Sequence, residues 1–336
     1  MPKITPSSLP VSALFGLVKP SGPTSMSVIN DVKILCTRSK LFLTQAQLEK
    51  AEKDVKRRKK SRDIIKIGQG GTLDPLADGV LVVGIGRGTK KLSEFLDCTK
   101  EYYTTCLLGC ETDSYDSQGA SVRQAPWKHV TREQVESELE KFRGSIKQTP
   151  PIFSALKMDG RPLYEYARKG IPLPRAIEPR EVTVHSLELV EWKGSEHTYR
   201  WPEKQFTDEE KQAMEKALEN VEPDASMKNE PEVSEEASEQ APTAFVLKMT
   251  VSGGTYVRSI VHDLAHAVGS AGHVVTLTRS RQGRFALKKE ADDEKTFDCL
   301  PWDLLERAAK DAGPKDEEGW TEWERELLKR IDVVEG

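Results

Sequence analysis

A glycine-rich segment from Gly68 to Leu81 is the feature that most limits what this chain can fold into. It holds four glycines and an Asp-Pro step, and an apolar run through Ile85 follows it. Glycine lets another backbone approach closely, so the segment predicts a tight loop that leads into a buried strand. Asp74 lies in this loop. Because Pro75 follows it directly, the local pattern favours Asp74 as a helix N-cap. The glycines instead favour an exposed Asp74 carboxylate.

Two other motifs in the chain are weak signals. The run Gly84–Lys90 follows a strand, as a phosphate-binding loop would, but its spacing fits neither the dinucleotide fingerprint nor the Walker motif. His262 and His266 are one helical turn apart, as in zinc proteases, but the required glutamate is absent and no third ligand is evident. We therefore expect a surface or packed histidine pair and no metal or organic cofactor.

The chain combines a basic body with acidic segments. The net charge of the 336 residues is −4, but residues 203–240 carry −9 and residues 286–336 carry −7, which leaves +12 on the remainder. Such a body favours a polyanionic partner, although uneven charge also arises from ordinary surface solvation. Five cysteines without Cys-x-x-Cys spacing predict reduced thiols in an intracellular compartment. No apolar run approaches the roughly 20 residues of a membrane span.

Apolar alternation and turn signals predict a mixed α/β (α+β) body. Because strands and helices do not alternate strictly, the sequence favours a mixed, largely antiparallel sheet flanked by helices over a doubly wound one. Strands are expected at residues 14–19, 80–85, 101–108, 181–191 and 243–251, and helices at residues 27–37, 88–96, 131–142, 163–169 and 256–268.

The expected main domain spans residues 14–202 and 243–290, with a basic insertion at residues 40–66. Residues 203–242 are rich in Glu, Ser, Ala and Pro, so burial cannot offset the entropy of ordering them, and we expect a mostly disordered acidic insertion. Residues 291–336 are expected to form a charged helical tail that docks on the body.

The basic run from Lys56 to Arg62 has three open interpretations: a nuclear import signal, a phosphate-contacting arm or a solvated helix end. The first eleven residues lack the features of a secretory signal and of a mitochondrial presequence. The expected location is therefore intracellular, in the nucleus and cytoplasm.

Five blocks, in this order, resemble the TruB-type tRNA pseudouridine synthases over about residues 14–285. Residues 70–81 resemble the catalytic motif of that family, residues 19–25 its N-terminal motif and residues 100–102 its active-site tyrosine block. Residues 150–167 resemble its RNA-gripping thumb, and residues 253–259 resemble its arginine motif. The basic insertion is similar to that of the stand-alone fungal branch, which modifies position 55 of tRNA.

The resemblance implies the pseudouridine synthase fold and a site without metal or cofactor. In that site Asp74 is the essential carboxylate, Arg258 pairs with it, and Tyr102 stacks on the target uracil. Gln69 stands where many bacterial members carry a histidine, and the C-terminal PUA domain of bacterial and guide-dependent relatives is expected to be missing. The implied substrate-binding residues are Lys19, Gln69, Gly71, Tyr256, Leu277, Lys157 and Tyr164.

The implied reaction is the isomerisation of uridine at position 55, in the T loop of tRNA, without a guide RNA. The T arm of tRNA is the implied partner, and messenger RNA is a further candidate; a monomer without membrane or obligatory protein partner is expected. A mitochondrial location is implied by the resemblance alone. Two alternatives stay open: a synthase subunit guided by a small nucleolar RNA, and a tRNA-binding folding chaperone that does not require catalysis.

Overall fold

A computed structural model describes residues 9–56, 64–152, 154, 156–169, 171–212, 240–289 and 293–335 of the chain. Most of the predicted disordered insertion and nearly all of the basic run that starts at Lys56 lie outside these residues. The chain forms two compact units. Unit 1 comprises Met1–Glu101 and Thr278–Gly336, and unit 2 comprises Tyr102–Leu277.

The predicted strands are all present, together with several short strands and one long one. The strands are β1 (Ala13–Lys19), β2 (Ile67–Gln69), β3 (Asp78–Ile85), β4 (Lys100–Leu108), β5 (Cys110–Thr112), β6 (Ser121–Gln124), β7 (Gly144–Gln148), β8 (Lys157–Met158), β9 (Arg161–Pro162), β10 (Arg180–Gly194), β11 (Ala244–Val251), β12 (Gly272–Gln282), β13 (Phe285–Ala286), β14 (Phe297–Asp298) and β15 (Asp332–Val333).

The predicted helices are also present, and two of them are partly 3₁₀ in character. The α-helices are α1 (Ser25–Cys36), α2 (Gln45–Lys56), α3 (Glu94–Asp97), α4 (Arg132–Glu138), α5 (Leu163–Arg168), α6 (Val257–Ala267), α7 (Trp302–Lys310) and α8 (Glu322–Leu328), and 3₁₀ helices cover Gly86–Lys91 and Leu139–Phe142. Residues 208–212 form one more helical turn, at which Thr207 and Glu210 make a capping box.

Unit 1 contains the strands β15, β1 and β3 and the part of β12 from Thr278 onward, in this order in the sheet. Strands β1 and β3 are antiparallel over their length, with Lys19 opposite Gly79. Strand β2 pairs antiparallel with β3, whereas β12 pairs parallel with β3 at Asp78 and Thr278. The sheet is thus mixed, as the sequence predicts, and it brings the ends of β1 and β12 beside the start of β3.

Both faces of this sheet are covered, which explains the continuous apolar runs of its strands. Phe15, Leu81 and Val83 belong to one apolar cluster with α1, α7 and α8, whereas Leu14 and Val80 belong to a second cluster on the other face. Apolar side chains are therefore needed at successive positions and not only at every second one.

The C-terminal segment contributes to this core and covers the outer edge of β1. Trp320, Trp323 and Leu327 join the cluster that includes α1. Strand β15 pairs with the first residues of β1, and farther along β1 the amide of Leu300 donates to Gly16 O at 2.9 Å. The tail therefore consists of two helices and short strands.

Unit 2 contains the first part of β12, up to Leu277, followed in the sheet order by β4, β11, β10 and β7. Strand β10 is antiparallel to both β11 and β7. The sequence did not predict β12, because its buried positions include the polar Arg279 and Gln282, which interrupt the apolar alternation. Within the described part of the chain, no helix is both long and apolar enough to cross a membrane.

Replacing Trp323 by alanine is expected to destabilise unit 1 by about 3–5 kcal/mol, because its buried side chain would leave a cavity in the core. Urea unfolding, followed by far-UV circular dichroism instead of tryptophan fluorescence, would measure the change in the free energy of unfolding. The exposed Lys315→Ala in the preceding loop is the control and should alter the unfolding free energy by less than about 0.5 kcal/mol. Equal effects of the two substitutions would contradict a structural role for the tail.

Candidate active site

The Asp74 loop, residues 70–77, connects β2 to β3. Its last four residues form a turn in which the Ala77 amide donates to Asp74 O at 3.1 Å, with Pro75 as the second residue. Strand β3 begins at Asp78, so the chain forms no helix that Asp74 could cap. The helix N-cap interpretation is therefore wrong, and Asp74 is half-buried in a loop.

The N-terminal clamp, residues 19–25, fixes the backbone of the Asp74 loop. Lys19 Nζ donates to Ala77 O at 2.6 Å and to Pro75 O at 3.3 Å. Ser21 Oγ donates to Leu76 O at 2.7 Å, and the Gly22 amide donates to Pro75 O at 2.8 Å. These donors occupy the carbonyl groups directly after Asp74.

Ser25 completes the clamp on the other side of Asp74. Its Oγ donates to Leu73 O at 2.8 Å and accepts from the Leu73 amide at 2.9 Å. Ser25 is buried and starts α1, so the helix itself carries this contact. The backbone is thus held at the residue before Asp74 and at the three residues after it.

The Lys19 ammonium is fully buried and lies in the field of two carboxylates. Burial lowers the pKa of Lys19 to about 8, while Asp78 and Asp74 oppose this fall and Arg279 adds to it. At neutral pH the ammonium is charged and donates to the loop carbonyl groups. A cation therefore lies beside the loop that presents Asp74.

Arg279 holds the loop from β12, and sequence reasoning did not identify it. Its guanidinium is buried and donates from Nε to Val80 O at 2.8 Å and from Nη1 to Thr72 O at 3.4 Å. The backbone approach is close here, since a Cβ on Gly79 would lie 2.2 Å from Arg279 O and Gly79 has a φ of +102°. Only glycine fits this position without strain.

Gln69 and Gly71 lie at the start of the loop. Gln69 is half-buried at the end of β2, and its Nε2 lies 3.4 Å from Thr72 Oγ1. Gly71 is half-buried, and the preceding carbonyl, Gly70 O, accepts a hydrogen bond from the buried Gln282 side chain. Unit 1 thus brings together Lys19, Gln69, Gly71 and Asp74 of the predicted site.

The predicted residues Tyr102, Tyr256, Arg258 and Leu277 belong to unit 2. Tyr102 is buried on β4 and Leu277 is buried on β12. The backbone of Tyr256, just before α6, exchanges hydrogen bonds of 2.7 and 2.9 Å with the buried side chain of Gln148. These contacts fix the start of the helix that carries Arg258.

Arg258 is buried and contacts the loop between β5 and β6, residues 113–120. Its Nη1 donates to Ser114 O at 2.6 Å and lies 3.9 Å from Asp116 Oδ2. Asp116 was missed by sequence reasoning, because an acidic turn between two short strands resembles an ordinary surface turn. Asp74 and Arg258 lie in different units, and their pairing stays a prediction.

The predicted thumb is a hairpin followed by a helix in unit 2. Strands β8 and β9 are joined by Asp159 and Gly160 with φ of 49° and 79°, the signature of a tight type I′ turn. Lys157 at the hairpin is exposed, and Tyr164 at the start of α5 is half-buried. Phe153, Ala155 and Gly170, which also fall in or beside this motif, lie outside the described residues.

One group of side chains in the described residues has the donor spacing of a metal site. Glu111, His262 and His266 place their ligand atoms within 4.8 Å of one another, so a third candidate ligand does accompany the histidine pair.

The glycines at residues 84–88, the other weak motif of the sequence, lead into a 3₁₀ helix in which Thr89 Oγ1 donates to Gly86 O at 2.8 Å.

Comparison with known proteins defines the family. Residues 56–205 match the N-terminal domain of the TruB family pseudouridylate synthases. The chain is 39% identical to tRNA pseudouridine synthase 4 of Schizosaccharomyces pombe, over 85% of this chain and 81% of the relative. It is 34% identical to the Saccharomyces cerevisiae protein of the same name, over 97% and 87%. The chain belongs to the TruB family of pseudouridine synthases.

More distant proteins agree with this result. Pseudouridylate synthase TRUB1 of Mus musculus is 34% identical over 88% of this chain and 70% of the relative. A chain of a solved Cbf5-Nop10-Gar1 complex superposes with a TM-score of 0.51 at 21% identity, over 96% of this chain and 60% of that chain. The predicted pseudouridine synthase fold and its mixed sheet are therefore confirmed.

Replacing Lys19 by methionine is expected to lower the unfolding free energy by about 1–3 kcal/mol at pH 7, because buried carbonyl groups lose their donor. The exposed Lys90→Met is the matched control. In the unfolded protein the pKa of Lys19 is 10.5, whereas in the folded protein it is about 8. Between these pH values the unfolded state binds more protons, so Lys19 makes the free energy of unfolding rise with pH.

Urea denaturation at several pH values would measure both effects. The rise in unfolding free energy between pH 8 and 10.5 should be smaller in Lys19→Met than in the wild type. Identical pH dependence in the two proteins would show that Lys19 does not titrate as its surroundings indicate.

Proposed function

We propose that this protein isomerises uridine to pseudouridine at position 55 of tRNA, in the T loop, and that it requires no guide RNA. Relatives aligned over most of the chain are named tRNA pseudouridine synthases, which supports tRNA as the substrate. The observation that carries the proposal for this chain is the clamped loop, in which one carboxylate is presented between fixed backbone groups.

The reaction breaks the bond between ribose C1′ and uracil N1, turns the base and forms a bond between C1′ and C5. The proton on C5 is lost, and N1 regains one, so no oxidant or reductant is needed. An ionised carboxylate can assist either by attacking the nucleotide or by removing a proton from the sugar. Asp74 performs this step in our proposal.

Arg258 and Tyr102 complete the proposed catalytic group. A guanidinium next to Asp74 would keep the carboxylate charged and oriented after water is displaced by the nucleotide. The contacts of Arg258 with Ser114 and Asp116 support this role, because they restrict the guanidinium before substrate arrives. Tyr102 would stack on the uracil, with Tyr256 and Leu277 lining the pocket.

Binding must offset the cost of taking the uridine out of its folded loop, about a few kcal/mol. Cations and aromatic rings of the thumb suit this task. Lys157 and Arg161 are exposed on either side of the hairpin turn, and Arg161 lies over the ring of Tyr166 with its Cζ 5.2 Å from the ring centre. Tyr164 lies at the start of α5. Phosphate contacts by such residues would make binding salt-dependent.

The test uses purified protein, no guide RNA and a tRNA transcript labelled with tritium at C5 of uridine. Wild type should release tritium, and a transcript with cytidine at position 55 should release none above background. Asp74→Asn should slow release at least about 1,000-fold, equal to about 4 kcal/mol of activation free energy, with the tRNA Kd within about threefold. Asp97→Asn, an exposed carboxylate on α3, is the control and should keep wild-type turnover.

Other outcomes separate the alternative functions. Turnover that appears only with an added guide RNA would favour the guided subunit. Tight tRNA binding without turnover by the wild type would favour the folding chaperone. Full activity of Asp74→Asn would remove Asp74 from the mechanism.

A further inference from the structure

Three cationic or titratable side chains lie on one face of α6 and contact the β5–β6 region. Arg258, His262 and His266 follow at four-residue intervals, which places them above one another on the helix. Arg258 donates to Ser114 O, and the ring of His262 stacks on Tyr115 with centroids 3.9 Å apart and planes 20° apart. Tyr115 has a φ of 61°, so its backbone conformation depends on such support.

Glu111, on β5, is the counter-charge of this face. Its Oε1 lies 3.1 Å from His262 Nε2, and its Oε2 lies 3.0 Å from His266 Nε2. Arg123 on β6 places Nε 3.1 Å from the same Oε2. The Glu111 side chain is 14% exposed and that of His262 is 8% exposed, so the two charges interact away from bulk water.

The charge state follows from these contacts. Burial alone lowers the pKa of His262, but Glu111, together with Asp263 at 3.0 Å from Nδ1, outweighs it and raises the pKa to about 10. Burial alone raises the pKa of Glu111, whereas His262 and His266 hold it well below its usual value. At neutral pH both partners are charged, and neutralising Glu111 would leave the buried imidazolium of His262 with only the exposed carboxylate of Asp263 beside it.

The same donor atoms could hold a divalent cation, but their surroundings oppose it. The guanidinium of Arg123 lies 3.0 Å from His266 Nε2 through Nη2, and its Nε contacts Glu111 Oε2. It therefore occupies two of the three ligand atoms and adds a positive charge where the ion would bind. An ion-pair cluster fits the geometry better than a metal site.

We propose that His262 and Glu111 are positioning residues for isomerisation. Their ion pair and the stack on Tyr115 fix the loop between β5 and β6, and the neighbouring Ser114 and Asp116 in turn orient the guanidinium of Arg258. This inference rests on the proposed role of Arg258 in the reaction. In this proposal His262, on the second turn of α6, orients the guanidinium of Arg258 on the first turn.

Single-turnover kinetics with excess protein test this role. His262→Gln and Glu111→Gln should each lower the rate constant of isomerisation at least tenfold while the tRNA Kd stays within twofold. The double variant should be no slower than the slower single variant, because the two residues act as one unit. An unchanged rate constant in His262→Gln would overturn the proposal.

Val261→Ala provides a matched control for simple destabilisation. Val261 is buried on the same helix, next to His262 in sequence, and truncating it should lower the melting temperature through a core cavity. Its rate constant, measured well below the melting temperature, should stay within twofold of the wild type. If the rate constant of Val261→Ala fell as much as that of His262→Gln, the ion pair would act only through the stability of the fold, and a positioning role would be refuted.

The pH dependence distinguishes the charged pair from packing alone. In the wild type, ¹⁵N NMR should show the His262 ring doubly protonated up to pH 9. In Glu111→Gln its pKa should fall, and the isomerisation rate should decrease as pH rises from 6 to 9, a decrease that the wild type lacks. Wild-type titration of His262 near its usual value of about 6.5 would refute the ion pair.

This NMR readout needs no RNA, so it separates failure of this inference from failure of the proposed tRNA reaction. Calorimetric titration of the wild type with Zn²⁺ should show no stoichiometric binding. Stoichiometric binding that is lost in His266→Gln would make the cluster a metal site and overturn the proposal.

Discussion

The hydrogen bonds between the N-terminal clamp and the carbonyl groups around Asp74 are the interaction on which the rest of the site depends. Loop carbonyl groups left without donors in a buried place would cost about 1–3 kcal/mol each. Lys19, Ser21, Gly22 and Ser25 supply those donors from a strand end and a helix start. The loop therefore keeps one backbone conformation without forming regular structure, and Asp74 is presented from a rigid support.

Buried charge is handled differently in the two units. In unit 1, Lys19 and Arg279 donate to backbone carbonyl groups, and Lys19 also lies in the field of Asp74 and Asp78. In unit 2, the Glu111 carboxylate on β5 and the His262 imidazolium on α6 form a close ion pair. Carbonyl acceptors stay charge-neutral at every pH, whereas an imidazole pair exists only while the ring is protonated. The Glu111–His262 pair in unit 2 therefore depends on the proton of His262, whose pKa is raised to about 10.

The sequence predicts the elements whose signals are local. Strands β1 and β3 are apolar runs because both of their faces are buried, and α6 has its periodic apolar face. The resemblance directs attention to Asp74, Tyr102 and Arg258, although no local pattern links them. Local reasoning fails at Asp74 itself, because Pro75 suits both the first turn of a helix and the second position of a β-turn. Only the tertiary contacts of residues 73–77 select the β-turn. The contacts of Asp116 with Arg258 and of Glu111 with His262 join residues far apart in sequence. A single sequence carries no signal of such contacts.

The two contacts that cover β1 have a consequence for solubility. A sheet edge with unpaired amide and carbonyl groups can recruit a strand from another molecule and start aggregation. Here the apolar strand β1 meets β15 at one end and the backbone of Leu300 farther along, so the segment that closes the edge comes from the far end of the chain. During synthesis this edge stays open until β15, Asp332–Val333, has emerged, and the incomplete chain can self-associate through it in that interval.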